Sequence, residues 1–152
     1  MVSLVIGFIG EIMKYGLLVL FFVSSTSFAE KYICLADTVT GFKYSETSEK
    51  WVQTKFIADD KYIISKSDTE SYAFKVVEIG SKYPVANCAE DFGEYGYLIC
   101  GGAGQDFRFQ KKNGRYIRSS VMGYFNVLPS SNGITDSTSD TPYLEIGKCS
   151  PI

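Results

Sequence analysis

Short apolar runs rich in Tyr, Ile, Val and Phe alternate with polar or glycine-containing breaks from residue 31 to residue 147. No segment keeps the 3.6-residue period of an amphipathic helix over three turns. We therefore expect short β-strands, with turn signals about every 8 to 12 residues. The expected strands cover residues 31–36, 41–44, 50–57, 61–65, 71–79, 95–100, 106–110, 115–119, 124–128 and 143–147.

Strands of this number and spacing are typical of a small antiparallel barrel or of a β-sandwich. Most connections are short and local, as an up-and-down order requires. The pattern therefore predicts an all-β fold, namely an up-and-down antiparallel barrel of about eight strands. A β-sandwich with Greek-key connections is the alternative. We expect one β domain over residues 30–152, because a single core is typically built from roughly 100 to 200 residues.

The N-terminal residues 1–29 are apolar almost throughout and form a pattern typical of a signal peptide. Residues 13–14 give a short cationic start, residues 16–23 an apolar run, and a tail of small residues follows. We expect cleavage before Glu30. Met13 is the expected true start, because no positive charge precedes it. An uncleaved membrane anchor is the alternative, since the apolar stretch is long enough to span a bilayer.

All four cysteines lie in the expected mature part, and an even number of cysteines in an exported chain favours disulfides. Sequence alone permits several pairings of Cys34, Cys88, Cys100 and Cys149. We favour Cys34–Cys149 and Cys88–Cys100, because the first and last strands become neighbours if a sheet closes. A metal site would need Cys-x-x-Cys spacing or histidine partners, and the sequence has neither. We therefore expect no metal and no cofactor.

The composition narrows the possible functions. The chain has no histidine, and 15 Lys and Arg against 17 Asp and Glu leave a net charge of −2. Without histidine there is no Ser-His-Asp or Cys-His nucleophile and no histidine general base. A nearly neutral chain also creates no field that would attract nucleic acid. These observations favour a protein that is not an enzyme and does not bind nucleic acid.

A hairpin is indicated by Asn113 and Gly114, which form a strong turn signal. We expect a three-residue loop over residues 112–114, with Gly114 in the left-handed conformation of a bulge. Arg108 then lies opposite Arg118, and like charges directly across a sheet repel unless an anion sits between them. In this register one face carries Phe107, Phe109 and Ile117, and the other carries Arg108, Arg118 and Tyr116.

All three arginines of the chain fall on this hairpin. The planar guanidinium group suits carboxylate and phosphate groups. The sequence therefore predicts a partner-binding patch made of Arg108, Arg115, Tyr116 and Arg118, which would contact an acidic protein face, a lipid phosphate or a glycan. The alternative is a solvated outer face whose arginines pair with carboxylates of the neighbouring strand.

Two further segments are candidate sites. Glu90, Asp91 and Glu94 lie close together in sequence, and a glycosidase needs two carboxylates about 5 to 10 Å apart across a cleft. Carboxylates this close in a loop are more often simply solvated. The polar stretch at residues 129–142 is expected to be a loop, and long loops in compact domains are mobile or bind partners.

Four strings of the sequence carry a resemblance: YICLAD at residues 32–37, TGF at 40–42, NGRY at 113–116 and EIGKC at 145–149. They look like strings in a group of small exported proteins of Gram-negative bacteria that have no assigned activity. In general build the chain is also similar to periplasmic lysozyme-inhibitor barrels, which are small, disulfide-stapled and dock loops into an enzyme cleft. This similarity is at the level of fold and brings no catalytic motif.

We therefore expect an exported, non-enzymatic binding protein of the bacterial envelope, inhibitor-like in its action. Its partner would be a protein, a glycan or a lipid component. The expected location is the periplasm or the extracellular medium, with no membrane span after signal cleavage. Two alternatives stand beside this expectation: a carboxylate-based enzyme acting on glycans, and a membrane-anchored accessory subunit.

Overall fold

Strands form where the chain alternates inward and outward side chains, as over residues 116–120, where every second residue is buried. The computed structural model describes residues 30–125 and 136–152. That part of the chain contains β1 (Tyr32–Ser45), β2 (Lys50–Phe56), β3 (Lys61–Lys66), β4 (Phe74–Glu78), β5 (Pro84–Cys88), β6 (Tyr97–Gly102), β7 (Gln105–Gln110), β8 (Arg115–Ser120), a short 3₁₀ helix (Asp136–Thr138) and β9 (Tyr143–Pro151).

The strands pair antiparallel in one sheet of order β2-β1-β3-β4-β5-β6-β7-β8-β9, and β1 also pairs with β9. This last pairing closes eight of the strands into a barrel and leaves β2 as an additional strand. Apart from the extra strand, neighbours in sequence are neighbours in the barrel. The predicted all-β, up-and-down barrel of about eight strands is therefore confirmed, and the sandwich alternative is wrong.

Strand β1 is long enough to pair with two strands along one edge. Its first part pairs with β3 and its second part, from Val39 onward, pairs with β2. The opposite edge pairs with β9 as far as Gly41. The outer part of the β1–β2 hairpin consequently extends past the end of the barrel. The sequence predicted two strands at residues 31–36 and 41–44, but a shift in register between Ala36 and Thr38 lets the chain continue as one strand.

The barrel interior is filled mainly by aromatic and aliphatic side chains. Tyr32 packs edge-on against Phe109 with ring centroids 4.8 Å apart, and Phe107 stacks on Tyr116 at 4.9 Å. Such pairs add to the stabilisation that comes from burial alone. The buried cluster comprises Tyr32, Cys34, Tyr62, Ile64, Phe74, Val76, Ala86, Cys88, Leu98, Cys100, Phe107, Phe109, Tyr116 and Cys149.

Two disulfides join barrel strands, and their pairing is the one that the sequence favoured. Cys34–Cys149 links β1 to β9, where the two residues lie directly opposite each other at the seam that closes the barrel. Cys88–Cys100 links β5 to β6. Disulfides persist in oxidising compartments, so these two bridges indicate a location outside the cytoplasm.

Some predictions concern residues at or beyond the edges of the described parts. The predicted signal peptide at residues 1–29 and the expected cleavage before Glu30 lie outside them. Tyr124 and Phe125, where a strand was expected, lie at a turn and a bend, and the rest of that segment is outside the described residues. Across residues 30–125 and 136–152, no helix has the length and apolar character needed to cross a membrane.

Candidate functional sites on and inside the barrel

The hairpin of β7 and β8, which carries all three arginines and is called the arginine hairpin below, has a different register from the predicted one. Its closing pair is Gln110 with Arg115, so the loop has four residues instead of three. Gly114 does adopt the left-handed conformation, with φ of 68°. The side chain of Asn113 accepts a hydrogen bond from the backbone N–H of Arg115 at 2.9 Å, which stabilises the turn.

A one-residue change of register sends side chains to the opposite face of a strand. Arg108 therefore pairs with Ile117 instead of Arg118, and both side chains of that pair point outward. Tyr116 and Arg118 point into the barrel, and both are buried. The predicted grouping of Arg108, Tyr116 and Arg118 on one face is therefore wrong. Stacking of Tyr116 on Phe107 favours the observed register.

Arg108 is exposed and already has an anionic partner. Its Nε and Nη2 donate to the carboxylate of Asp106 at 2.9 Å and 2.8 Å, a two-pronged contact along the same strand. The hydrogen bonds and the charge of Asp106 raise the pKa of the Arg108 guanidinium. A contact this exposed to water adds little to stability. The structure thus gives Arg108 the carboxylate partner of the solvated-face alternative, although that partner comes from its own strand.

Like charges do lie directly opposite each other on the outer wall, but between β8 and β9. Arg115 pairs in register with Lys148, and both residues are exposed. No ion pair to either residue occurs within the described parts of the chain. Two cations held opposite each other on a sheet repel, and an anion between them would relieve the repulsion.

A row of outward side chains, three isoleucines and Arg108, runs beside these two cations across four strands. Ile99, Arg108, Ile117 and Ile146 are successive partners in register on β6, β7, β8 and β9. The three isoleucines are 62%, 40% and 48% exposed. Leu144, the next outward residue of β9 beside Ile146, lines an open groove of about 400 Å³. We name the set Ile99, Ile117, Leu144, Ile146, Arg115 and Lys148 the outer patch.

Inside the barrel, Arg118 is the centre of a buried polar network. Its Nη2 donates to Gln105 Oε1 at 2.6 Å, and its Nη1 donates to the hydroxyl of Tyr62. The guanidinium also lies over the Tyr143 ring at 5.3 Å. Its Nε is buried and has no hydrogen-bond partner among the described residues. Glu145 is the residue opposite Arg118 on β9 and is fully buried.

Two carboxylates, Asp60 and Glu145, lie at the Tyr62 hydroxyl next to Arg118. Asp60 Oδ2 lies 3.8 Å from Arg118 Nη1 and 2.9 Å from the Tyr62 hydroxyl. Glu145 Oε2 lies 3.1 Å from the same hydroxyl, and Glu145 Oε1 accepts a hydrogen bond from Tyr116 at 2.7 Å. Burial raises the pKa of the Glu145 carboxyl and Asp60 raises it further, while Tyr116 and Arg118 oppose this. Burial likewise raises the pKa values of Tyr62 and Tyr116.

A pocket of about 630 Å³ opens at the end of the barrel next to this network. Asp60, Gln105 and Tyr143, which all contact Arg118 or lie close to it, also line the pocket. Among the described residues, the lining consists of Val39, Phe56, Ile57, Asp60, Ala103, Gln105, Ser120, Met122, Asp140, Thr141 and Tyr143. The network therefore adjoins the polar floor of a cavity whose lining mixes polar and apolar side chains.

The predicted carboxylate cluster is a surface feature. Glu90, Asp91 and Glu94 are all exposed. Asp91 forms an ion pair with Lys66 at 2.5 Å, and this hydrogen bond lowers the pKa of the Asp91 carboxyl. None of the three lines the cavities described above. Of the predicted loop at residues 129–142, the described portion contains the 3₁₀ helix and Asp140, which reaches the rim of the large pocket.

The sequence signal for the interior network was weak. The sequence indicates Arg118 as a candidate but predicts it on the outer face, and it gives no reason to select Asp60 or Glu145. Glu145 occupies an inward position in the alternation of β9, which is the one local signal for it. Comparison with protein-family models, curated proteins and solved structures finds no match to this chain.

Proposed function

We propose that this protein is an exported, non-enzymatic binding protein of the bacterial envelope that docks a partner protein through the outer patch. The observation that carries the proposal is the set of exposed isoleucines beside Arg115 and Lys148, two cations that have no ion pair among the described residues. Apolar patches rimmed by polar groups mark interaction sites on soluble proteins. The disulfides support export, and the periplasm or the extracellular medium is the proposed location.

The chemistry of the patch specifies the kind of partner. Ile117 and Ile146 face each other across β8 and β9 and would form the apolar centre of the contact. Arg115 and Lys148 flank this centre, and an acidic side chain of the partner would remove their mutual repulsion. The expected partner therefore presents an apolar surface with carboxylates at its edge. Such electrostatic complementarity mainly accelerates association and adds specificity.

The test begins with recovery of a partner from envelope extracts and continues with the purified pair. We expect Ile117→Ser with Ile146→Ser to raise the Kd about tenfold or more, because truncating central apolar contacts costs over about 1 kcal/mol each. Arg115→Glu with Lys148→Glu should slow association and abolish its weakening by salt. Both measurements are made by surface plasmon resonance at two ionic strengths.

A matched control is available on the opposite side of the barrel. Ile79 and Lys82 are exposed near the turn between β4 and β5, so Ile79→Ser with Lys82→Glu changes the same chemistry away from the outer patch. This variant should keep the Kd of the unmodified protein. If the outer-patch variants bind as tightly as this control, the outer patch is not the docking surface.

A further inference from the structure

We propose that the pocket at the open end of the barrel binds a neutral sugar residue. This site is separate from the outer patch, because its lining residues point inward or lie at the barrel end. Its volume of about 630 Å³ falls within the range of roughly 300 to 1,000 Å³ that small-molecule sites occupy. The charge, the hydrogen-bonding groups and the walls of the pocket indicate the class of ligand.

The charge of the floor favours an uncharged ligand. Arg118 supplies one positive charge, and Asp60 lies 3.8 Å from it, so these two groups compensate each other. Glu145 is fully buried and does not belong to the described lining of the pocket, so its carboxyl does not face a ligand. An anion would meet the carboxylates of Asp60 and Asp140 in the lining, and the positive charge of Arg118, buried behind Asp60, opposes a cation there. A neutral polar ligand meets neither repulsion.

The hydrogen-bonding groups of the floor have fixed roles. Arginine has no acceptor, so the Gln105 atom that receives the hydrogen bond from Arg118 Nη2 is the amide oxygen. The two N–H donors of the Gln105 amide therefore stay available on a residue that lines the pocket. Asp60 offers a carboxylate acceptor in the same lining, and its side chain is 34% exposed.

A sugar hydroxyl fits this combination because it donates one hydrogen bond and accepts others. It can donate to Asp60 and accept from the Gln105 amide, and neighbouring hydroxyls can exchange hydrogen bonds with Ser120 and Thr141. An acyl chain in this pocket would leave the Gln105 amide donors without an acceptor, which costs free energy.

The walls complement the remaining surface of a sugar. Phe56 and Tyr143 present aromatic rings, and Val39 and Met122 present aliphatic surface. The C–H faces of a pyranose ring are apolar and can pack on such side chains, while its hydroxyls reach the floor and Asp140 at the rim. Small-molecule sites of this kind combine mostly apolar walls with a few convergent polar groups.

The test uses the exported protein and ligand-observed saturation-transfer NMR. The panel consists of glucose, galactose, mannose and N-acetylglucosamine, their methyl glycosides and their β-linked disaccharides, with benzylamine and decanoate as charged competitors. We expect at least one neutral sugar to show saturation transfer that the competitors do not displace. Preference for a methyl glycoside or disaccharide over the free sugar would identify a glycan end as the source of the ligand.

The deciding variant is Gln105→Glu, which keeps an acceptor for Arg118 and removes the amide donors. It should lower the affinity for the bound sugar about tenfold, which is the loss of roughly one good hydrogen bond. Gln53→Glu is the matched control, because Gln53 is exposed on β2 outside the pocket. Ser120→Ala is a second pocket variant, should Gln105→Glu unfold the barrel.

The proposal fails if no panel sugar gives saturation transfer, or if a charged competitor binds in place of the sugar. It also fails if the pocket variants and Gln53→Glu weaken binding equally. Outer-patch variants such as Ile117→Ser should leave sugar binding unchanged. Loss of partner docking and loss of sugar binding are therefore separable results.

Discussion

The two disulfides close loops of very different length, and this difference predicts unequal contributions to stability. Cys34–Cys149 spans a sequence separation of 115 residues, whereas Cys88–Cys100 spans 12. In the chain-entropy model these loops correspond to about 4.8 and about 2.8 kcal/mol at 25 °C. Removal of the seam disulfide should therefore destabilise the barrel by about 2 kcal/mol more than removal of the other.

The measurement compares two double variants, Cys34→Ala with Cys149→Ala and Cys88→Ala with Cys100→Ala. All four cysteines are buried, so the packing lost on substitution is similar in the two variants and largely cancels in the comparison. Urea unfolding followed by circular dichroism gives the free energy of unfolding of each variant. Intact mass with and without reduction verifies that each variant keeps its remaining disulfide.

The loop-length reasoning is tested by which double variant loses more free energy of unfolding. Equal losses in the two variants, or a larger loss on removing Cys88–Cys100, would refute the loop-length reasoning. In that case native-state packing around the sulfur atoms, or residual structure in the unfolded chain, would dominate the stabilisation. A larger loss on removing Cys34–Cys149 would support the view that the covalent link at the seam keeps the first and last strands together.

Three other substitutions test the interior. Gly147→Ala would place a Cβ atom 2.2 Å from a backbone carbonyl of β1 and 2.5 Å from the Tyr116 ring, so the melting temperature should fall, with a cost of about 1 to 3 kcal/mol or more; an unchanged melting curve would contradict this contact. The raised pKa of Glu145 means that its contribution is fully present below about pH 4 and is lost as the pH rises through the folded-state pKa. Glu145→Gln should therefore gain stability relative to the unmodified protein in urea unfolding as the pH rises above about 4, and a pH-independent difference would argue against the shift. Arg118→Met removes the cation next to Asp60 and the donor to Gln105, so it should cost about 1 to 3 kcal/mol, whereas adding Asp60→Asn should recover part of that loss in the same assay.

The fold could be predicted because its signals are local. Short strands, polar turns and the absence of a helical period are visible in the sequence, and an up-and-down order follows when the connections are short. The pairing of Cys34 with Cys149 followed from closure of the sheet. The continuity of β1 could not be predicted, because the shift in register between Ala36 and Thr38 depends on pairing with a strand more than a hundred residues away.

The candidate site was harder to predict because it depends on partners distant in sequence. Sorting the arginine hairpin by polarity assumed that every arginine faces water, which is the usual preference. Arg118 departs from it because Glu145 and Asp60, on other parts of the chain, meet it inside the barrel. Neither Asp60 nor Glu145 lies on β7 or β8, so the sequence of the hairpin alone does not reveal them. Like charges do face each other across the sheet, but the pair is Arg115 with Lys148, which the register between β8 and β9 brings together.

Stability alone does not explain the buried polar network around Arg118. Replacing a buried ion pair by well-packed apolar side chains is often neutral or stabilising, so the pairing of Arg118 with Asp60 is weak evidence that the network stabilises the barrel. Their position offers a different reason, because the network separates the aromatic interior from the pocket and fixes the orientation of the Gln105 amide. A floor of apolar residues would hold the strands equally well but could not present a donor beside an acceptor. The inward residues of β8 and β9 thus serve the pocket, while the outward residues of the same strands form the outer patch.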